Sequence, residues 1–423
     1  MRVFKFDVGN LKKLPQLSWV FDKSIIRGFS AILILRTVEK LSGFIVTVFL
    51  FRMLEKQQVA EYGFIQTVVS ICAIFGIQEF QNTISQSVAR GFTGTYRRAV
   101  PLALKWSLVG TMIIVGFGAW YLWSGKVTLG QGFLIAAALF PVFHALSQWK
   151  GVYLGERDFT RFTFAEASNA IVKALLIVAA LFAFPGSVLA PVLVFFAVPA
   201  AQNLRQTWKC HRRISDHDAV EEGAIAYGLR ANRYSAIGIA ANNLDRILIF
   251  TLLSPPLLAI FMAAEKFAEL LQSVVQDLGV VLAPKFSTID RYSRRLDDKL
   301  KLVSLAMGIV IILFAIFALP SLVVLVYGPD YRESVLYAQV LVGAVAIRNI
   351  ATLRFRFIRS KLDAASYRNV LVVGSVGRIA ASVTLIPLYG LDGAAASVLF
   401  HRFVLATVIG YTIRTKYLNE AKD

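Results

Sequence analysis

The chain has 423 residues, 57% of them apolar and only 17% charged, with a mean hydropathy of +0.63. Soluble domains carry about 25% charged residues, so the composition excludes a soluble enzyme and describes an integral membrane protein. Lys and Arg (45) outnumber Asp and Glu (26), giving a formal charge of +19; in a multi-span chain that excess belongs in loops facing anionic membrane lipids, and no nucleic-acid partner is expected.

At ~20 apolar residues per span, the length accommodates about twelve helices and their turns. The first thirty residues are basic and interrupted by Lys5, Asp7, Lys12, Lys13, Asp22, Lys23 and Arg27, which excludes a signal-peptide core. With Phe4, Phe6, Trp19 and Phe21 among those charges, the segment either lies on the inner membrane face or forms a solvated basic tail. Apolar runs bounded by Pro, Gly and charge then predict helices over 31–51, 59–80, 100–123, 132–153, 162–184 and 188–208. Residues 209–226 form a polar loop. A second set of helices follows over 227–253, 257–283, 302–327, 335–357, 369–388 and 394–413, with a tail at 415–423. Cys72 falls in an apolar helix and Cys210 in the basic loop, so no disulfide framework is implied.

Charged residues inside these helices are the functional signal. Ionised groups at the centre of a membrane helix cost at least ~2.5 kcal/mol and normally face a bundle interior or a wet cavity. Arg36, Glu39 and Lys40 form one stripe on the first helix, read either as cavity lining or as an interfacial ramp. The seventh helix carries Asn242, Asn243, Asp245 and Arg246. Asp245 and Arg246 are adjacent, so they point about 100° apart and need not pair with each other. After a Ser254-Pro255-Pro256 turn, Glu265, Glu269, Gln272 and Gln276 make a polar strip along the eighth helix. Lys173, Arg348, Arg378 and Arg402 add basic groups at mid-helix. For any one of these residues a structural ion pair is the competing reading. Together they describe a basic cavity suited to phosphate, which guanidinium groups bind in bidentate fashion.

Loop charge sets the orientation. Arg52, Lys56, Lys126 and Arg332 fall in one set of turns, whereas clusters such as Arg90/Arg97/Arg98, Arg205/Lys209/Arg212/Arg213 and Arg291/Arg294/Arg295 fall in the other. The positive-inside rule then places both termini in the cytoplasm. Weak internal similarity runs in order along the chain: Leu54-Glu55 with Ala60 and Tyr62 overlays Leu253-Ser254 with Ala259 and Phe261, Lys173 overlays Arg378, and Pro185-Gly186 overlays Gly390-Leu391. The expected architecture is an all-α membrane protein of about twelve spans in two six-helix halves, 31–208 and 227–414, with a substrate site between them. Asp216-His217-Asp218 is a solvated loop rather than a metal motif, because no sugar-nucleotide domain surrounds it. No phosphate-binding G-x-x-x-x-G-K-[ST] motif is present, so the chain carries no ATPase of its own.

Several stretches resemble the Wzx-type oligosaccharide flippases, the polysaccharide-transport branch of the MOP exporter superfamily. They are Asp245-Arg246, Ser254-Pro255, Ala263-Ala264-Glu265-Lys266 and Pro284, with Ala60-Glu61-Tyr62-Gly63 in the first half. Tyr327-Gly328-Pro329-Asp330-Tyr331 and the run from Ile386 to Ala395 extend the likeness from Leu35 to near the end. Phe261 departs from the family's usual Tyr and removes a hydroxyl from that position.

The resemblance implies a MATE-like transporter, not an enzyme. It would flip undecaprenyl-diphosphate-linked oligosaccharide across a bacterial inner membrane, with a polysaccharide polymerase and a chain-length regulator as partners. On this view Arg36, Lys40, Asn242, Asn243, Arg246, Gln272, Gln276, Arg348 and Arg378 line the substrate cavity. Glu39, Asp245, Glu265 and Glu269 are candidates for H⁺ or Na⁺ coupling, and no metal or organic cofactor is expected. A multidrug cation antiporter of the same superfamily would want an acidic cavity. A lipid II flippase would carry two further helices, and a membrane polymerase or glycosyltransferase a long outer loop.

Overall fold

The computed structural model describes residues 23–215, 218–287, 292–360 and 364–418. It is about 90% helix, with no strand among the described residues. The sequence-expected basic segment before residue 23, Asp216-His217, Arg291 and the last residues of the tail lie outside that description.

The first part of the chain comprises α1 (Lys23–Met53), α2 (Lys56–Cys72), α3 (Phe80–Ala89), α4 (Gly94–Trp123), α5 (Val127–His144), α6 (Trp149–Gly155), α7 (Phe159–Ala183) and α8 (Leu189–Arg213). The second comprises α9 (Ala224–Leu248), α10 (Pro255–Ser287), α11 (Arg294–Phe317), α12 (Leu319–Tyr327), α13 (Ser334–Ser360) and α14 (Ala364–Thr412).

Three predicted helices are broken. The second divides at Ile77, whose φ of 47° is left-handed; the fourth passes through a 3-10 turn at Ala145–Gln148. The ninth divides at Ala318, just ahead of Pro320, which is well placed to start a helix and poorly placed to continue one. The last two predicted helices run together as α14, which doubles back at Gly390 (φ 58°, ψ −132°). The reversal is tight: a Cβ on Gly393 would sit 2.0 Å from the Leu385 carbonyl oxygen. Only glycine fits there without moving backbone.

Among the described residues, eight segments are long and apolar enough to cross a membrane. α1, α8 and α10 fall outside that group, and all three line the polar cavities described below. A helix with one face on a polar cavity need not be apolar all round. The outer surface is correspondingly greasy, with Met112, Trp123, Leu302, Val310 and Phe317 strongly exposed. Buried Asp245, Glu166 and Arg378 lie inside. This inside-out distribution is what lipid selects, and the protein is a multi-pass membrane protein.

Packing repeats along the chain. α1 packs on α7 as α9 packs on α14, α4 on α5 as α11 on α13, and α5 on α8 as α13 on α14. The two sets meet where α2 lies against α9 and α10. There Phe64 stacks on Phe250 with ring centroids 3.9 Å apart and planes 8° from parallel. Nearby, α1 reaches α12 through Phe51, which contacts the rings of Tyr327 and Tyr331 at 4.8 and 4.9 Å. Arg52 closes the same contact by donating to the carbonyls of Leu325 and Val326, the latter at 2.8 Å, which would otherwise be unsatisfied at a helix end.

Candidate functional site

Two chambers are present, one within the second helix set and one mainly within the first. The larger, about 560 Å³, is walled by α9, α10, α13 and α14. Helical spacing builds its face: Asn242 and Arg246 are one turn apart on α9, while Glu265, Glu269, Gln272 and Gln276 run down one side of α10. Arg348 comes from α13, and Arg378, His401 and Arg402 from α14.

The adjacent Asp245 and Arg246 diverge, as their 100° separation requires. Arg246 turns to α10, where it donates to Glu265 at 2.8 Å and Glu269 at 3.1 Å. Lys266 also donates to Glu269, at 2.7 Å. Asp245 turns to α14 and is 1% exposed. It accepts from Arg378 Nη2 at 2.8 Å and from the Ser382 hydroxyl, while Arg378 Nη1 donates to Asn242 at 3.0 Å. Arg402 donates to Gln272 at 3.1 Å. Its Nε is buried with no acceptor among the described residues. His401 Nδ1 lies 2.9 Å from the Gly374 carbonyl oxygen. Four arginines thus share a chamber with two glutamates, both of them held by Arg246.

The second chamber, about 370 Å³, lies mainly among α1, α2, α6, α7 and α8. Glu39, Lys150, Glu166, Asn169 and Lys173 supply its polar groups, and Tyr62, Phe143 and Phe195 its rings. Lys150 donates to Glu166 Oε2 at 2.6 Å. The Lys173 ammonium sits 5.0 Å from the centroid of the Phe195 ring, within cation–π range. Among the described residues, Arg246 alone lines both chambers.

Of the residues expected at the site, Asn242, Asn243, Arg246, Glu265, Glu269, Gln272, Gln276, Arg348 and Arg378 line the larger chamber. Asp245 is packed behind Arg378, and Glu39 faces the smaller chamber. Arg36 and Lys40 line neither. The smaller chamber adds Lys150, Glu166 and Asn169, which the sequence alone does not mark as site residues. Glu166 and Lys173 lie seven residues apart on α7, a two-turn spacing on one helix face that could have pointed there.

No protein-family model matches the sequence, and no curated protein matches it. Solved structures match across nearly the whole chain. The lipid II flippase MurJ in an inward closed conformation superposes with a TM-score of 0.67 at 12% identity, covering 92% of this chain and 87% of MurJ. An inward-facing multidrug resistance MATE family transporter of the MOP superfamily gives 0.67 at 12% identity, over 89% of this chain and 96% of its own. A MOP superfamily transporter from Pyrococcus furiosus, described as having a binding pocket of reverse polarity, gives 0.65 at 13% identity, over 95% and 96%. The chain therefore has the MOP/MATE-like fold.

Proposed function

We propose that the chain is a MOP-type flippase that carries undecaprenyl-diphosphate-linked oligosaccharide from the inner to the outer leaflet of a bacterial inner membrane. Two six-helix halves, 31–208 and 227–414, joined by 209–226 and with both termini cytoplasmic, would rock about the paired chambers in alternating access. The observation that carries the reading is the larger chamber's four arginines. Its two glutamates are already committed to Arg246, so the remaining cationic character suits an anionic headgroup rather than a cationic drug. The likeness in fold to a lipid II flippase supports a lipid-linked substrate. Among the coupling candidates, Asp245, Glu265 and Glu269 each engage an arginine, leaving Glu39 in the smaller chamber, among three lysines, as the carboxylate best placed to exchange H⁺ rather than Na⁺. A polymerase and a chain-length regulator would take up the product outside.

The test uses protein reconstituted in liposomes with a fluorescent, short-chain lipid-diphosphate oligosaccharide in the inner leaflet. Its appearance outside, read by a membrane-impermeant quencher, should depend on the protein and fall sharply in the Arg348→Gln/Arg402→Gln variant. Ethidium movement without glycolipid movement would instead establish the multidrug antiporter.

A further inference from the structure

The smaller chamber contains an unmet hydrogen-bonding demand. Glu166 is 8% exposed, and its Oε2 is held by Lys150. Its Oε1 is buried with no donor among the described residues, and so is Asn169 Oδ1, one turn further along α7. Both residues line the chamber. Buried acceptors are costly unless something donates to them.

The surrounding charge narrows what that donor can be. A cation entering the chamber would meet Lys150, Lys173 and Lys266. A phosphate would meet Glu39 and Glu166. A neutral, hydroxyl-rich molecule meets neither objection, and its hydroxyls supply the missing donors. Another part of the wall is aromatic: Tyr62 and Phe143 pack edge-on or tilted against Phe195, with centroids 6.0 and 6.2 Å away. Ring faces of this kind suit the apolar C–H face of a pyranose. A volume of about 370 Å³ lies within the ~300–1,000 Å³ of small-molecule sites.

The larger chamber has the complementary demand. Arg402 Nε is buried with no acceptor among the described residues, and the chamber's two glutamates are occupied by Arg246.

Resting on the lipid-diphosphate reading above, we infer that the substrate is divided between the chambers. Its first sugar residues occupy the smaller one, against Glu166, Asn169 and the Phe195 ring cluster. Its diphosphate occupies the larger one, against Arg402. Arg246, in the walls of both, marks the passage between them. The first-half chamber is thus a glycan subsite, and selectivity for the sugar resides in α7 rather than among the arginines.

The experiment measures binding of two kinds of probe to the purified full-length protein in detergent. One is farnesyl diphosphate, which has no sugar. The others are farnesyl-diphosphate-linked galactose, glucose and N-acetylglucosamine. Wild type should bind at least one glycosylated probe roughly ten-fold more tightly than the bare diphosphate, the worth of one or two added hydrogen bonds. Glu166→Gln and Asn169→Ala should each pull that ratio towards one without changing affinity for the bare diphosphate. Asn169→Ala breaks no ion pair and so keeps the test intact if Glu166→Gln folds poorly. Arg402→Gln should weaken both kinds of probe alike and leave the ratio intact. A wild type that prefers none of the sugars, or a ratio unmoved in Asn169→Ala, would overturn the glycan subsite while the lipid-diphosphate reading stood. Failure of wild type to bind even the bare diphosphate would remove that reading, and the divided substrate with it.

Discussion

The two chambers are built on one plan and filled with different chemistry. The offset that lays Leu54 on Leu253 also lays Gly43 on Asn242 and Gln66 on Glu265, and all four of these chamber residues face their own cavity. Lys173 and Arg378 likewise occupy overlaid positions on α7 and α14. Yet Lys173 lies against an aromatic ring, whereas Arg378 is clamped to a buried carboxylate. The smaller chamber offsets lysines with glutamates; the larger one collects arginines. A repeated packing frame sets where cavities form, and the side chains at equivalent positions set what each accepts.

The most severe way to break this comparison is to remove the clamp that organises the larger chamber. The Asp245 and Arg378 side chains are 2% and 6% exposed. Arg378→Ala would leave a carboxylate buried among helices with only Ser382 and neighbouring dipoles to hold it. Losing one partner of a buried pair costs about 3–5 kcal/mol, so membrane yield and melting temperature in detergent should fall steeply. The double variant Asp245→Asn/Arg378→Gln removes both charges and should recover much of that loss. Arg378→Ala protein as stable as wild type would show that the pair organises nothing.

A smaller effect is expected at Arg246, where the chambers meet. Its partners are less enclosed: Glu265 is 19% and Glu269 46% exposed, and Lys266 still holds Glu269 when Arg246 is gone. Arg246→Ala should cost roughly 2 kcal/mol, the scale of hydrogen bonds to charged groups, while transport in the liposome assay falls more than stability alone explains. Arg246→Lys retains charge but not the planar fork that spans Glu265 and Glu269, and should restore stability only in part. Full rescue of both stability and transport by Lys would mean that charge alone is needed at this junction.

How far the sequence carries this picture depends on whether a residue stands out from its own neighbours. Arg246 and Glu265 interrupt apolar runs, so the larger chamber's lining was legible one helix at a time. Its pairings were not. Asp245 and Arg378 lie 133 positions apart, and only the packing of α9 on α14 brings them together. The smaller chamber was legible only at Glu39 and Lys173: Lys150 sits near a helix end, where basic residues ordinarily meet lipid headgroups, and Tyr62 and Gln66 do not stand out in a membrane helix. Apolar runs locate the helices, and the turn at Gly390 falls where Pro387 and Gly390 suggest. The break at Ile77 carried no such signal beyond Gly76, because a β-branched residue is among those least suited to positive φ.

The smallest expected effect concerns the polar loop between the halves, which is fastened to the first of them. Glu221 accepts from Arg90 at 2.7 Å and from the Ser87 hydroxyl, and its backbone N–H donates to Thr95 Oγ1 at 3.1 Å. Asp218 accepts from Thr93 Oγ1 at 2.8 Å, and Arg97 Nε donates to the Ile214 carbonyl at 2.7 Å. Each anchor belongs to α3, α4 or the turn between them, so the loop should move with the first chamber and leave the second free to rock against it. The hydrogen bonds from Arg90 and Ser87 hold the Glu221 carboxyl below its ordinary value of 4.5. A carboxyl lowered on folding is stabilising above its unfolded pKa, and that contribution is lost as pH falls through the folded value, because the unfolded chain then binds the proton more readily. Melting temperature should therefore drop from pH 6 towards pH 3 by slightly more in wild type than in Glu221→Gln, which has no such proton to gain. At neutral pH the same substitution should cost no more than about 1 kcal/mol, as exposed ion pairs do. Identical melting profiles for the two proteins across that range would show that this strap contributes nothing to holding the loop, and with it would go the argument that the loop travels with the first chamber.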